Sequence, residues 1–349
     1  MNKEKTKTNR INKKRLLLII GIMVLSISTI VFIYLQKSEK AKNFVWYVDE
    51  SFAAHWEKIL AQAPKEFERF LQEGNIQIIN SETAIPADTY GYIVTTNRLN
   101  ALQLKNNQGN EQNSSSKEEV PAVIAYERLA RSRVYKGAYV LALDPWLIFS
   151  KRSTPPLSRE RIIAPAQGTQ DTLLLLPGRD KKAVNSWAAR LLQESTSSFI
   201  QDKASWNEVK GDLFRSGVFQ EGAISSNWNE VLFTLLGTRE CWTYAPISRL
   251  RTQSDYRTSQ IEAFIFPEPG DNFSLQADIL WLIPFGINDS NKQTKNLFNW
   301  LDSMEAGSVI AASTTWIPAH PDCPPYNPAA QTARIAWLTS SYVWELTEQ

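Results

Sequence analysis

The chain has 349 residues, 43% of them hydrophobic and 21% charged, with a formal net charge of +2; that profile fits a globular protein of two domains or one bilobed body and excludes a disordered or fibrous chain. The balance hides an asymmetry: ten of the 38 basic residues and two of the 36 acidic ones fall in residues 1–42, leaving 28 against 34, or −6, in the remainder. An acidic body excludes a nucleic-acid partner and gives that body no attraction to anionic lipid.

Leu16–Leu35, LLLIIGIMVLSISTIVFIYL, is a run of twenty residues without a charge. At ~1.5 Å per residue, a helix of that length just crosses a hydrocarbon core of ~30 Å. Lys3, Lys5, Lys7, Arg10, Lys13, Lys14 and Arg15 precede it, and Lys37, Lys40 and Lys42 follow. This distribution predicts a cytoplasmic basic tail over 1–15, a transmembrane signal anchor over 16–35 and a linker over 36–42, with the body beyond the membrane. A cleaved signal peptide is the competing reading. Its apolar core is usually about 7–15 residues and ends in a small-residue cleavage site. Here QKSEKAKN follows the run, with no A-x-A pattern and no lipobox cysteine.

From Asn43 the pattern alternates. NFVWYV over Asn43–Val48 predicts a strand. Asp49 and Ser51 supply cap chemistry for a helix through Phe52, Trp56, Ile59, Leu60, Phe67 and Phe70. Strands are expected at Ile76–Ile79 and Tyr90–Thr95, and Asn97 opens another helix. Strand–helix–strand alternation implies a mostly parallel sheet. Residues 104–121 are polar and nearly devoid of apolar side chains, so they are expected to form a mobile loop. Val123–Arg131 has a helical pattern. Gly137–Lys151 is strand-like but carries Pro145, which predicts a break or an edge. DTLLLL over Asp171–Leu176 is a buried-strand run, and Lys181–Gln193 is helical with Trp187 inward. Helices are expected at Asn207–Phe219 and Ser226–Leu236, and strands at Glu240–Tyr244, Ile261–Phe266 and Asp278–Phe285. Three further helices are expected, at Asn288–Ser303, Glu305–Ala312 and Ala329–Leu346.

The rare residues cluster in TTWIPAHPDCPP over Thr314–Pro325, where His320, Asp322 and Cys323 invite a metal. A catalytic zinc needs three protein ligands and a structural zinc four, and no recognised spacing is present. No G-x-S-x-G, P-loop or G-x-G-x-x-G occurs, so no catalytic residue and no cofactor are expected. Cys241 and Cys323, the only cysteines, would sit in a compartment that permits a disulfide; spacing alone leaves pairing and two free buried thiols both open. The chain is rich in aromatics: 12 Trp, 11 Tyr and 15 Phe. Trp187 and Trp300 fall on inward helix faces. Trp46, Tyr47, Trp242, Tyr244 and Trp316 fall near strand–loop junctions, where parallel sheets bind ligands and a flat ring can stack on an apolar face; inter-element packing is the alternative.

The order FPEPGDN, then WLIPFGINDSNKQTKNLFNWLDSMEAGSVIA, then TTWIPAHP resembles the extracellular solute-binding proteins of ABC importers, in the branch of maltose and oligosaccharide binders (family 1). In that family a strand with a Pro-containing turn returns the chain to the first lobe and leads to a helix, a short helix and a Pro loop. Gly286–Lys292, Leu297–Leu301 and Ile317–Ala319 fit those places. LGTRECWTYAPISRLR over Leu236–Arg251 is similar to the segment that delivers a loop to the cleft, and Ala138–Arg161 to the first crossover between lobes. Two features depart from the pattern: Ala245-Pro246-Ile247 lacks the aromatic that often follows Gly-Pro in sugar binders, and the family's members are usually free or lipid-tethered.

The resemblance implies an α/β, periplasmic-binding-protein-like fold of two lobes with a hinge and central cleft, preceded by one transmembrane helix. The expected partition is 43–142 and 264–306 for lobe 1, and 143–263 and 307–349 for lobe 2. The implied function is non-enzymatic: binding of a small polar solute, such as a sugar or oligosaccharide, for ABC permease subunits. Trp46, Tyr47, Trp242, Tyr244 and Trp316 are the candidate stacking residues, and Asp49, Glu50, Asn97 and Asn227 the candidate hydrogen-bonding ones. A membrane-anchored interaction or sensory module that has lost transport is the alternative.

Overall fold

The computed structural model describes residues 43–71, 75–80, 83–108, 123–151, 173–174, 176–177, 180, 182–183, 186–187, 190, 224–225, 227–237, 241–249, 260–266, 274–287, 292–314, 316–320, 322–323 and 328–345. No helix among them is long and apolar enough to cross a membrane. The expected span 16–35, the helix over 207–219 and most of the polar stretch 104–121 lie outside them.

The first elements are β1 (Asn43–Asp49), α1 (Glu50–Leu60), a 3-10 helix (Lys65–Phe70), β2 (Ile76–Ile79), β3 (Thr89–Thr95) and α2 (Arg98–Gln108). β1 pairs in parallel with both β2 and β3, as the alternation requires. It is buried on both faces. Phe44, Trp46 and Val48 enter one core with Phe52, Trp56 and Ile59 of α1; Val45 and Tyr47 enter another with Ile93 and Ala101. Central parallel strands are covered on both sides, so they carry near-continuous apolar runs. α2 corrects the expected loop boundary: residues 104–108 are helical, because Ala101, Leu102 and Leu104 pack on the core and extending an existing helix is easy.

β4 (Val123–Ala125), α3 (Tyr126–Ser132), β5 (Val134–Tyr135) and β6 (Ala138–Lys151) follow. The helix expected over Val123–Arg131 is therefore a short strand and then a helix. β6 runs unbroken through Pro145. Ala277↔Pro145 is the last pair of one ladder, and the next ladder begins at Trp146, so the missing N–H falls where the strand changes neighbours. β7 (Leu173–Leu174), β8 (Leu176–Pro177), β9 (Ile224–Ser225), α4 (Trp228–Leu235), β10 (Cys241–Pro246), a 3-10 turn (Ile247–Arg249) and β11 (Ile261–Phe264) come next. The chain ends with β12 (Ser274–Phe285), α5 (Lys292–Leu301), α6 (Met304–Ser313), β13 (Ile317–Pro318), α7 (Pro328–Thr339) and β14 (Tyr342–Glu345). The last helix thus stops short of its expected end, and its final residues pair as a strand with β12 and β4.

The sheet path is β2-β1-β3-β12-β6-β10-β7. β12 and β6 are antiparallel to each other and form the middle of the path. β1, β2 and β3 lie to one side; β10 and β7 lie to the other, with β11 also on β6. The expected partition put residues 307–349 with the second lobe. In the structure Ile310 of α6 packs in the core of Phe44, Trp46 and Phe52, β14 pairs with β12 and β4, and α7 meets β6, β11 and β13. This is a mixed α/β fold with a central sheet.

Candidate functional site

β1 and β3 end side by side. Asp49 closes β1 and stands at the N-cap position of α1, but its side chain makes no cap bond. Instead Oδ2 accepts from Thr95 Oγ1 at 2.8 Å, from Thr96 N at 2.7 Å and from Thr96 Oγ1 at 3.3 Å. The carboxylate ties the ends of the two strands together. Asn97 caps α2, its Oδ1 accepting from Asn100 N at 3.2 Å, while Glu50 is exposed in the first turn of α1. Trp316 is part-buried and stands edge-on to Phe52, with ring centroids 5.8 Å apart. His55 Nδ1–H donates to Ser313 O at 2.9 Å, which fixes α1 to the end of α6 beside Trp316.

The strand crossing lies next to this edge. Ile317 pairs with Leu143, so one step further along the β13–β6 register brings Trp316 level with Asp144. On β12, Asp278 is the direct partner of Asp144. Asp144 is 1% exposed; its Oδ1 accepts from Ser248 N at 3.1 Å, and Oδ2 has no partner among the described residues. Asp278 Oδ1 accepts from Trp146 Nε1 at 3.1 Å and pairs with Lys182 Nζ at 3.0 Å. Burial, reinforced by the charge of Asp278, lifts the Asp144 carboxyl to about 7, against the opposing pull of Ser248 and Lys182. Trp228 leans on Trp146, centroids 6.4 Å apart, and its Nε1 donates to Asp180 at 2.8 Å. Neither aspartate was singled out from the sequence. The signal was available: a lone acid inside an apolar strand run, VLALDPWLIF and LQADILWLIP, must be compensated where it lies.

The nine expected ligand residues divide. Trp46, Tyr47, Trp242 and Tyr244 are 0–1% exposed and pack within cores, so they offer no ring to a solute in this arrangement. The reason is length: β1 runs on to Asp49 and β10 to Pro246, so these residues are interior to strands rather than at their ends. Trp46 donates from Nε1 to Phe70 O at 2.9 Å, and Trp242 meets Trp187 at 5.1 Å. Burial also raises the Tyr244 hydroxyl to about 12. Asp49, Glu50 and Asn97 lie at the ends of β1 and β3, and Trp316 lies just before β13 with its ring on Phe52 of α1. Asn227 is exposed on the other side, where its Oδ1 caps α4 by accepting from Glu230 N at 3.0 Å. In the Pro-rich loop His320 Nδ1 accepts from Asp322 N at 3.2 Å. Both cysteines are free and buried, and no group of three or more His, Cys, Asp or Glu side chains among the described residues could hold a metal.

No protein-family model and no curated protein matches the sequence. Solved structures do match the fold. AcbH, a bacterial solute receptor with an exclusive preference for β-D-galactopyranose, is 12% identical, with a TM-score of 0.57 over 88% of each chain. The binding protein MsmE from Bacillus subtilis, in an open conformation, is 11% identical, with a TM-score of 0.54 over 87% of each chain. FutA (IdiA) of Trichodesmium, in complex with iron and citrate, is 13% identical, with a TM-score of 0.53 over 86% of this chain and 91% of its own. The chain therefore shares the periplasmic-binding-protein-like fold.

Proposed function

We propose that the chain is the extracytoplasmic solute-binding component of an ABC-type importer. Residues 16–35 would hold it at the cell membrane with the N-terminus in the cytoplasm, and the body would deliver a solute to permease subunits. The two sides of the sheet act as lobes, β6 and β12 as the hinge between them, and the solute enters at the strand crossing. One observation carries this reading. Polar Asp49, Glu50 and Asn97 stand at the carboxyl ends of β1 and β3, the edge at which open α/β sheets take ligands, and the part-buried Trp316 packs on Phe52 of the helix that follows β1. The fold likeness to solute-binding proteins supports it, and the part-buried Trp316 ring suits a polar organic solute such as a sugar or oligosaccharide.

Thermal-shift screening of sugars, oligosaccharides, polyols and amino acids, followed by calorimetric titration, tests the reading. A saturable shift with one class is the expected result. Silence across the whole panel counts against transport.

A second reading has its own support: four of the five candidate aromatics are buried. A fold retained as a membrane-anchored interaction or sensory module needs no stacking platform. Capture of a protein partner, by a body that ignores every solute, distinguishes it.

A further inference from the structure

Asp144 and Asp278 form a like-charge pair directly opposite one another on the two strands that join the sides of the sheet. Like charges in that position destabilise an antiparallel ladder. The surroundings only partly relieve it. Lys182 pairs with Asp278; from β6, the Trp146 indole donates to the same oxygen; from the 3-10 turn, Ser248 N–H reaches Asp144 Oδ1. Tyr244 of β10 faces both Asp278 and Arg190, and Arg190 Nη2 donates to Ser274 O at 2.6 Å. The Ser248 side chain and the Lys182 charge also act on the Asp144 carboxyl, but its Oδ2 has no hydrogen-bond partner among the described residues.

We propose that this carboxylate pair is a proton-operated lock on the strand crossing: with Asp144 protonated, β6 and β12 hold the observed register, and release of that proton loosens the junction between the two sides. The proton sits on Asp144 because that residue is the buried one; Asp278 and Lys182 retain 14% and 17% side-chain exposure, which gives the proton a route to solvent. Protonation converts the unpartnered Oδ2 into a donor and removes the repulsion. The lock depends on the crossing geometry alone, so it stands whether the occupant is a solute or nothing.

The folded state holds this proton more tightly than the unfolded chain, because the Asp144 carboxyl is raised from 3.8 to about 7. Stability is therefore full below about pH 4, falls as pH rises toward 7 and levels off above it. The experiment is denaturant unfolding of the full-length protein in detergent from pH 5 to 9, with native-state hydrogen exchange at Leu141–Ile148. For the wild type, stability is expected to fall from pH 5 to about 7 and then level off, and the opening equilibrium of those amides to rise by up to about tenfold per pH unit below the midpoint. Asp144→Asn should flatten both profiles. Lys182→Met should move the midpoint up, and Asp278→Asn should move it down, because the first removes a compensating cation and the second a repelling anion. An Asp144→Asn profile that superposes on the wild type overturns the lock. If that variant does not fold, midpoints unmoved by Lys182→Met and Asp278→Asn overturn it equally.

Discussion

Truncation separates a tryptophan that packs from one that meets a ligand. Trp46 is fully buried, stacked on Tyr92 at 5.3 Å and edge-on to Trp56 at 5.2 Å. Trp46→Ala leaves a large void and removes the indole donor to the Phe70 carbonyl, at a cost of about 3–5 kcal/mol; in urea unfolding the midpoint should fall steeply, while any fraction still folded keeps its solute affinity. Trp316→Ala should do the reverse. The ring is part-buried against Phe52 alone among the aromatic pairs, so stability changes by about 1 kcal/mol, whereas loss of stacking weakens solute binding about tenfold. Calorimetric titration checks it; an unchanged affinity removes Trp316 from the site. Asp49 tests the strand ends. Its carboxylate accepts from Thr95 and Thr96, and Asp49→Ala strands those donors, with an expected loss of about 2 kcal/mol in chemical unfolding. At this scale the sequence revealed which side chains are aromatic or acidic, but not their depth. WYV at the end of a short run reads as a junction; only the packing on either side of the sheet buries both of its faces.

Local pattern was sufficient for elements stabilised by their own amphipathic faces and insufficient for those completed by a distant partner. α5 and α6 lie close to their expected spans, and Ser303 caps α6 by accepting from Ala306 N at 3.2 Å. β4 and β14 were both read as helix. Each is a few residues long, and each is a strand because the other supplies hydrogen-bond partners, Ile124 opposite Val343. Such pairing is invisible across two hundred residues of chain. Pro145 misled for a related reason, since the ladder change that accommodates it belongs to β10 and β12. Gly91 offers a sharp test of element packing. It pairs with Val45 of β1, and a Cβ there would lie 1.9 Å from Val45 O, a backbone atom that cannot move aside without parting the strands. Gly91→Ala should therefore cost more than about 4 kcal/mol, the range reserved for lost core structure, and circular dichroism melting should find the variant largely unfolded at 37 °C.

Across the whole molecule, the two sides of the sheet are joined through β6 and β12, and the free cysteines bear on whether anything else staples them. Cys241 lies on β10 with its thiol toward Thr234 O of α4; Cys323 lies behind α6, its thiol toward Met304 O and its sulfur 2.4 Å from where a Cβ on Gly307 would stand. The absence of a side chain at Gly307 is what lets the Cys323 loop close on the helix. Burial raises the Cys323 thiol, so it resists forming the thiolate that oxidation needs. Both thiols are expected to persist even in an oxidising compartment. Reductant should leave the melting temperature unchanged, and a thiol reagent should find two groups after denaturation and almost none before it. This matters for the proposed hinge. A bridge between β10 and the α6 side would fix the two sides relative to each other, whereas two free thiols leave β6 and β12 able to flex. Gly307→Ala then separates local packing from hinge motion: the added methyl pushes Cys323 off α6, so native-state labelling of Cys323 should accelerate strongly while Cys241, held on β10, stays protected. Equal acceleration at both cysteines would mean that the two sides unfold as one unit, and that the crossing strands are a rigid spine rather than a hinge.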